Sequence, residues 1–411
     1  MPASPVPYEV HPNPRTTRMA SETYTSVMSE ERKMLQEAAR EFAMQEVLPL
    51  ANKLDPERGD MPRSLIDKMA ELGYFGITIP EQYGGLGLGC FEYCLIAEEL
   101  SRAWMSVGSI IARGNTFMGS QLLSDEQRAA IMPRVARGEY LGALALSEPG
   151  TCSDLASVSC RARRDGDEWV ITGSKYWCTF ADGADFIYLL ARTSPEIDPA
   201  RKHEGISAFI IDKPRGRFPA GIAGSPIPKI GYFGWKTWEL AFDGYRVPAS
   251  ALIGPEGRAF AAFSRGLETY RAHTAARSIG LARGALEDAI KYAQERIQFA
   301  QPIASFQAVR FKLAQMATEI EAARQLNYHV CTQIDLGLRC DTEAAMTKLF
   351  ASEMSERVCS QALQILGGAG YTTHHAVERY WRDARLTKIF EGTSEIQLKI
   401  ISDRMLGKLP R

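Results

Sequence analysis

Apolar residues recur at close to a 3.6-residue period through the first third of the chain. In "SEERKMLQEAAREFAMQEVLPLANKLD", residues 29–55, Met34, Leu35, Ala38, Phe42 and Val47 fall on one face. Ser29 stands where an N-cap belongs, and Pro49 interrupts or kinks the run. Further helical patterns follow in "RSLIDKMAELG", "CFEYCLIAEELSRA" and "SDEQRAAIMPRVARG"; in the last, Ser124 and Gln127 have capping-box spacing. From about residue 142 the period changes to two. "VSCRARRDGDEWVITGSKYW" alternates about Asp165-Gly166, a hairpin turn signal, and "DFIYLLART", "GISAFIIDK" and "TWELAFDGYRV" are short strand-like runs. After about residue 255 helices return and lengthen. Ala285, Leu286, Ala289, Ile290, Ala293 and Ile297 lie on one predicted face, and two more long runs, 305–337 and 341–366, suit a bundle. The pattern predicts an α+β chain, mainly α: a tail over 1–28, an N-terminal helical domain over 29–141, a middle β domain over 142–254 and a C-terminal helical bundle over 255–411.

Composition narrows the function classes. The 411 residues carry 48 Lys+Arg against 49 Asp+Glu, so no charge excess points to nucleic acid or an anionic membrane surface. No apolar run reaches the length of a membrane span. The eight cysteines contain no C-x-x-C pair, and the six histidines show no ligand spacing, so reduced thiols and no metal are expected. That fits a reducing compartment: a bacterial-type cytoplasm, with the mitochondrial matrix as the alternative. The Pro-, Ser- and Thr-rich start lacks the apolar core of a secretory signal. "YGGLGLGC" tempts as a dinucleotide loop, but position 90 is Cys where the fingerprint needs Gly, and no parallel βαβ unit surrounds it.

One short stretch poses a chemical question. "LTKIFEGTSEIQ", residues 386–397, sets Glu391 between Phe390 and Gly392, just ahead of a helix start. Thr393 or Ser394 can cap that helix, Ser394 with Gln397 as a capping box. A capped turn accounts for those residues and not for Glu391. The chemical reading is a catalytic base held at a sharp bend, where desolvation by apolar neighbours tunes a carboxylate to take a proton. Glu391 beside Phe390 fits that reading, and Gly392 lets the backbone approach a substrate without a Cβ.

The helical–β–helical order, with "ALSEPGTCSD" opening the middle part and "QILGGAGY…RYWRDARLTKIFEGTSEIQ" near the end, resembles the acyl-CoA dehydrogenase family over nearly the whole chain after residue 29. The resemblance implies that family's fold, with a barrel-like middle domain and a C-terminal four-helix bundle. It also implies FAD, α,β-dehydrogenation of an acyl-CoA thioester, a homotetramer, and an electron-transferring flavoprotein as acceptor. Glu391 matches the catalytic base. Some relatives take the base from the helix carrying "GLETYRAH"; the matching position here, Tyr270, does not serve at neutral pH. Leu146 and Ser147 match contacts to the flavin pyrimidine. Trp177 and Thr179 match a Trp beside the isoalloxazine and a hydroxyl near the hydride-accepting nitrogen. Arg296 and Phe299 match residues that reach the FAD of a neighbouring subunit. Gln307, Gln364, Gly367 and Gly368 match adenosine and pyrophosphate contacts, and Thr393 and Glu395 belong with the cofactor positions. Ser153, Glu268, Arg271 and Gly392 match substrate positions along the CoA and thioester. Cys152 stands where Gly is usual and Phe180 where a small polar residue is common.

The acyl pocket of the family is lined partly by the segment reading "RAWMSVGSIIARGN" here. Arg113 aligns with the cavity floor, where a buried cation needs an anion. A substrate ω-carboxylate would serve, and "MSVGS" resembles the glutaryl-CoA dehydrogenase type, which makes Ser106 a second candidate and Arg102 a structural residue. The expected substrate is therefore a short dicarboxylyl-CoA, a branched succinyl-CoA or glutaryl-CoA. The alternative is a short or branched monocarboxylic acyl-CoA, with Arg113 paired internally. The intact "FEGTSEIQ" argues against a flavin oxidase or monooxygenase, and the intact "SEPG" against a non-enzymatic assembly protein.

Overall fold

The computed structural model describes residues 27–116, 120–194 and 201–407. All but the last two residues of the expected tail over 1–28 lie outside them. The first part is helical: α1 (Glu30–Phe42), α2 (Leu48–Leu54), α3 (Arg63–Glu71), α4 (Cys90–Ala103), α5 (Met105–Ile110), α6 (Ala112–Asn115) and α7 (Asp125–Ala136). Ser29 caps α1 by accepting from the Arg32 amide, and Ser124 and Gln127 form the reciprocal capping box of α7. Pro49 sits in the first turn of α2, and a π-helical turn, Ala43–Val47, joins α1 to it. That turn absorbs the hydrogen bond proline cannot give. The buried face of this region keeps part of the sequence reading, since Leu35 and Phe42 pack partly buried against the core and Val47 is buried, but it differs at two positions. Ala39, Ala43 and Val47 are buried, while Met34 is exposed and Ala38 also faces out.

The middle part holds β1 (Gly142–Ala145), β2 (Arg161–Asp165), β3 (Glu168–Thr179), β4 (Phe186–Arg192), β5 (Ile206–Asp212), β6 (Ile222–Pro226), β7 (Thr237–Pro248) and β8 (Leu252–Ile253). They form one eight-stranded sheet in the order β6-β7-β3-β2-β4-β5-β8, with β1 parallel to β4. Its ends, β6 and β8, are not paired to each other among the described residues, so the sheet is open where a barrel-like domain was expected. The β2–β3 hairpin turns on Gly166-Asp167, one residue later than the sequence signal, with Gly166 at φ +63°.

The last part comprises α8 (Ala259–Arg265), α9 (Leu267–Glu295), a hairpin of β9 (Ile297–Gln298) and β10 (Gln301–Pro302), α10 (Gln307–Asp335), α11 (Asp341–Leu366), α12 (Val377–Thr387) and α13 (Ser394–Leu406). Helices α9, α10 and α11 pack on one another, and α12 and α13 pack against α11. Of the predicted α9 face, Ala285, Leu286, Ala289 and Ala293 are buried; Ile290 and Ile297 are exposed. Helix α4 lies directly on α9. Gly280 makes this possible, because a Cβ there would meet the Glu98 carbonyl oxygen at 2.3 Å. Buried charge reinforces the seam: Arg283 and Arg324 both place a guanidinium nitrogen 3.0 Å from Glu98, and Arg102 lies 2.7 Å from Glu287. Arg102 is thus structural, as its sequence context suggested.

Candidate active site

A cavity of about 70 Å³ lies where α5, α6, α9, β1 and β4 meet the turn after α12. Its wall includes Ser109, Arg113, Tyr232, Tyr270, Arg277 and Glu391. Glu391 arrives there because the chain reverses sharply. The amides of Ile389 and Phe390 still bond to Leu386 at the end of α12. Glu391 and Gly392 then take φ values of +54° and +93°, and Thr393 caps α13 by accepting from the Ile396 amide. A glutamate at positive φ is uncommon, and such backbone strain gathers at functional sites. The Gly392 carbonyl is fixed by Lys348 Nζ at 2.6 Å and Gln397 Nε2 at 3.0 Å. Burial pushes the Lys348 ammonium down to about 8. The Ser394–Gln397 capping box does not form. Ser394 donates to Glu353 and Gln397 turns back to Gly392.

The surroundings of Glu391 differ from the apolar setting the sequence suggested. Its Oε2 accepts from Arg277 Nη2 and Thr274 Oγ1, and its side chain is about one-third exposed. Arg277 is buried, with Nη1 2.9 Å from Ser109 Oγ, Nη2 3.0 Å from Thr274 Oγ1, and its guanidinium over the Phe390 ring at 4.8 Å. Sequence reasoning missed Arg277, Thr274 and Ser109. The available signal was spacing: 270, 274 and 277 share a face of α9.

Arg113 faces the same cavity. Its Nη2 donates to the Thr179 carbonyl at 3.3 Å and its guanidinium lies 5.5 Å from the Trp235 ring centre. Its buried Nε has no partner among the described residues, and none of their carboxylates comes within 4 Å of it. Burial lowers its affinity for a proton, which Tyr232 and Glu391 partly offset. The nearby groups are neutral: burial pushes the Tyr232 phenol up to about 12, pushes Tyr270 up as well, and drives buried His273 far down. Ser106 does not line the cavity. Its hydroxyl donates to the Phe233 carbonyl, and Ser109, one turn along, lines the wall instead.

The residues expected at the flavin ring sit on neighbouring backbone. The Tyr176 amide bonds the Ser147 carbonyl at 2.8 Å, and Lys175 Nζ bonds the Leu146 carbonyl at 2.9 Å. Lys175 also pairs with Glu148 at 2.9 Å. Burial opposes the Glu148 charge, but Lys175 and the Cys160 and Ser159 amides hold its carboxyl below the usual range. This pair, also missed in the sequence, ties "LSEP" to β3. Trp177 is 51 % exposed at φ +64°, edge-on to Tyr176 with centroids 4.6 Å apart. A half-bare indole on a strained strand fits a surface that a planar ring covers, so these residues fit a flavin. Thr179 Oγ1 is shared with Thr237 at 3.0 Å, and Phe180 takes φ +69°.

The other expected contacts lie outside the cavity wall. Ser153 is exposed; Glu268 and buried Arg271 lie in the opening turns of α9. Arg296 and Phe299 lie where α9 ends and the β9–β10 hairpin begins, and Phe299 is 88 % exposed. Gln307 opens α10, Gln364 sits in the last turn of α11, and Gly367 and Gly368 follow with open space where a Cβ would be. Glu395 is exposed in the first turn of α13. Elsewhere, Cys90, Cys94 and Cys331 bring three buried sulfurs within 4.8 Å of one another. Cys90 and Cys94 are the closest cysteine pair in the sequence and lie on one predicted helix; only the fold adds Cys331 to them.

Three family models match in succession. Those described as the acyl-CoA dehydrogenase N-terminal, middle and C-terminal domains cover residues 29–139, 143–245 and 257–406. The chain is 41 % identical over 391 residues to (2S)-methylsuccinyl-CoA dehydrogenase of Cereibacter sphaeroides, covering 93 % of this chain and 70 % of that protein. It is 38 % identical over 397 residues to the human mitochondrial short-chain specific acyl-CoA dehydrogenase, covering 96 % and 94 %. A chain from the structure titled for the electron transferring flavoprotein of Acidaminococcus fermentans superposes with a TM-score of 0.86 at 36 % identity, covering 92 % and 99 %.

Proposed function

The chain belongs to the acyl-CoA dehydrogenase family, an FAD-dependent family of oxidoreductases, and we propose that its substrate is a short dicarboxylyl-CoA, a branched succinyl-CoA or glutaryl-CoA. The observation that carries this reading is Arg113: a cation in the wall of a small cavity, without a carboxylate partner among the described residues, facing the same space as Glu391. A second carboxylate on the acyl group would supply the missing anion by a charge-assisted contact. The 41 % identical relative named for methylsuccinyl-CoA supports it. The second reading, a short monocarboxylic acyl-CoA, is favoured by the small cavity itself and by the short-chain relative.

In this reading the thioester lies with its α carbon at Glu391, which takes the proton while the backbone of Glu391 and Gly392 approaches the carbonyl. Bound there, FAD would supply the two-electron acceptor for the β-hydrogen. Leu146, Ser147, Trp177 and Thr179 orient the ring, and Thr393 and Glu395 stand with them at the cofactor. Ser153, Glu268 and Arg271 bind along the CoA. Ser109 replaces Ser106 beside the acyl group. Arg296 and Phe299 reach the FAD of a neighbouring chain in a homotetramer, Gln307, Gln364, Gly367 and Gly368 meet the cofactor's adenosine and pyrophosphate, and electrons leave to an electron-transferring flavoprotein.

The test is an anaerobic titration of the FAD-loaded protein with butyryl, isovaleryl, octanoyl, glutaryl and methylsuccinyl thioesters, following flavin bleaching. The dicarboxylyl esters alone should bleach wild type. E391Q should bleach with none, and R113M should lose the dicarboxylyl response by at least tenfold. Bleaching by the monocarboxylyl esters with R113M unchanged returns Arg113 to a structural role.

A further inference from the structure

Among the described residues, the cavity wall carries two guanidiniums, Arg113 and Arg277, and one carboxylate, Glu391. With the phenols and His273 neutral, the wall holds one positive charge more than it balances. The single carboxylate is committed to Arg277. Both donors to Oε2, Arg277 Nη2 and Thr274 Oγ1, come from α9, and Arg277 is itself fixed by Ser109 at 2.9 Å and Thr274 at 3.0 Å. Oε2, one of the two carboxylate oxygens, is thus held by two donors on α9, which fixes where the Glu391 side chain points. Arg277 is held firmly, whereas Arg113 Nε has no partner among the described residues. A free carboxylate entering this space meets both cations, and each gains a charge-assisted partner only if Arg277 loosens its hold on Glu391.

We propose that Arg277 is a positioning residue that holds Glu391 until a second carboxylate on the acyl group takes its place, so that the base is released to the α carbon only by a dicarboxylyl substrate. The proposal rests on the substrate reading above. On release, the α C–H bond breaks, the proton passes to Glu391 Oε2, and the electron pair stays on the substrate as the enolate of the thioester. Discrimination then resides in the rate of proton removal as well as in binding. A monocarboxylyl ester can occupy the cavity and still meet a committed base.

The experiment reads proton removal directly, as exchange of the α protons with D2O followed by NMR under anaerobic conditions. Methylsuccinyl and butyryl thioesters are compared on the FAD-loaded wild type, R277Q, R277K and S109A, with flavin reduction followed in parallel. Wild type should exchange the methylsuccinyl ester faster. R277Q should speed butyryl exchange about tenfold and slow methylsuccinyl exchange about tenfold. R277K should recover most of the preference. S109A, which loosens Arg277 without removing it, should move both rates in the R277Q direction by a smaller factor, and it keeps the test open if R277Q does not fold. Equal losses for both esters in R277Q and S109A, with the wild-type preference intact, overturn the role of Arg277 alone, as does no change in either variant. Exchange of butyryl and not methylsuccinyl by wild type overturns the dicarboxylyl reading itself.

Discussion

Asp383, in the middle of α12, has no exposed surface, and its Oδ1 accepts the Tyr232 amide at 2.6 Å. That bond holds the strained Tyr232, at φ +59°, in the cavity wall. Oδ2 has no partner among the described residues, and burial together with nearby Asp55 pushes the carboxyl up to about 7, against the pull of Arg382 and Arg379. A carboxyl with a raised value in the folded state favours folding most when protonated. Its contribution is complete below about pH 4, the ordinary aspartate range, and is lost as pH rises through about 7. D383N keeps the acceptor for Tyr232 and removes the proton dependence. The wild-type Tm should therefore fall relative to D383N between pH 5 and pH 8; parallel Tm curves would assign the pH dependence elsewhere. Residues like this were not legible in the sequence. Glu391 was, because its signal is contiguous: an acid, a glycine and a cap within four residues. Its partners Arg277 and Thr274 lie 114 and 117 residues away, and only the fold brings them to it.

Among the elements, the seam between α4 and α9 sets the site, because α4 leads into the Ser109–Arg113 wall and α9 carries Tyr270, Thr274 and Arg277. Gly280 fixes the separation. A Cβ would stand 2.3 Å from the Glu98 carbonyl oxygen and 3.0 Å from the Arg102 amide nitrogen, backbone atoms that cannot rotate away. G280A should destabilise the protein by about 1–3 kcal/mol, the usual range for overpacking, read as a lower urea midpoint at unchanged slope. It should also slow flavin bleaching, since any widening moves Arg277 relative to Arg113. An unchanged midpoint would mean that the seam accommodates a methyl group. The long helices and strands β2, β3, β4, β5 and β7 were legible from period alone, whereas the short β1, β6 and β8 carry too few residues to show a period on their own. The difference at α1, with Ala39 and Ala43 inward in place of Met34 and Ala38, came from alanines that fit either face. Ile290 and Ile297 were placed inside by periodicity, which reads apolar character and not what covers it.

On the scale of the whole molecule, that uncovered apolar surface is informative. Ile297 is 53 % and Phe299 88 % exposed on the β9–β10 hairpin, and Phe299 and Ala300 both take positive φ, +50° and +61°. Phe299 meets Phe306 edge-on at 6.0 Å, while Leu398, Met405 and Leu406 of α13 are more than half exposed. A strained turn that projects an aromatic ring into solvent loses stability in an isolated chain and recovers it when another chain covers the ring. A symmetric oligomer is the simplest source of such a cover. If the ring reaches a neighbour's FAD, as proposed, then F299E should do two things together. It should shift the particle to a smaller species by size-exclusion chromatography with light scattering, and it should lower the flavin absorbance per chain at least severalfold. A smaller particle with full flavin would make Phe299 an interface residue only, and an unchanged particle with full flavin would remove it from both roles. The coupling is the decisive reading, because a cofactor held between chains must be lost when the chains part.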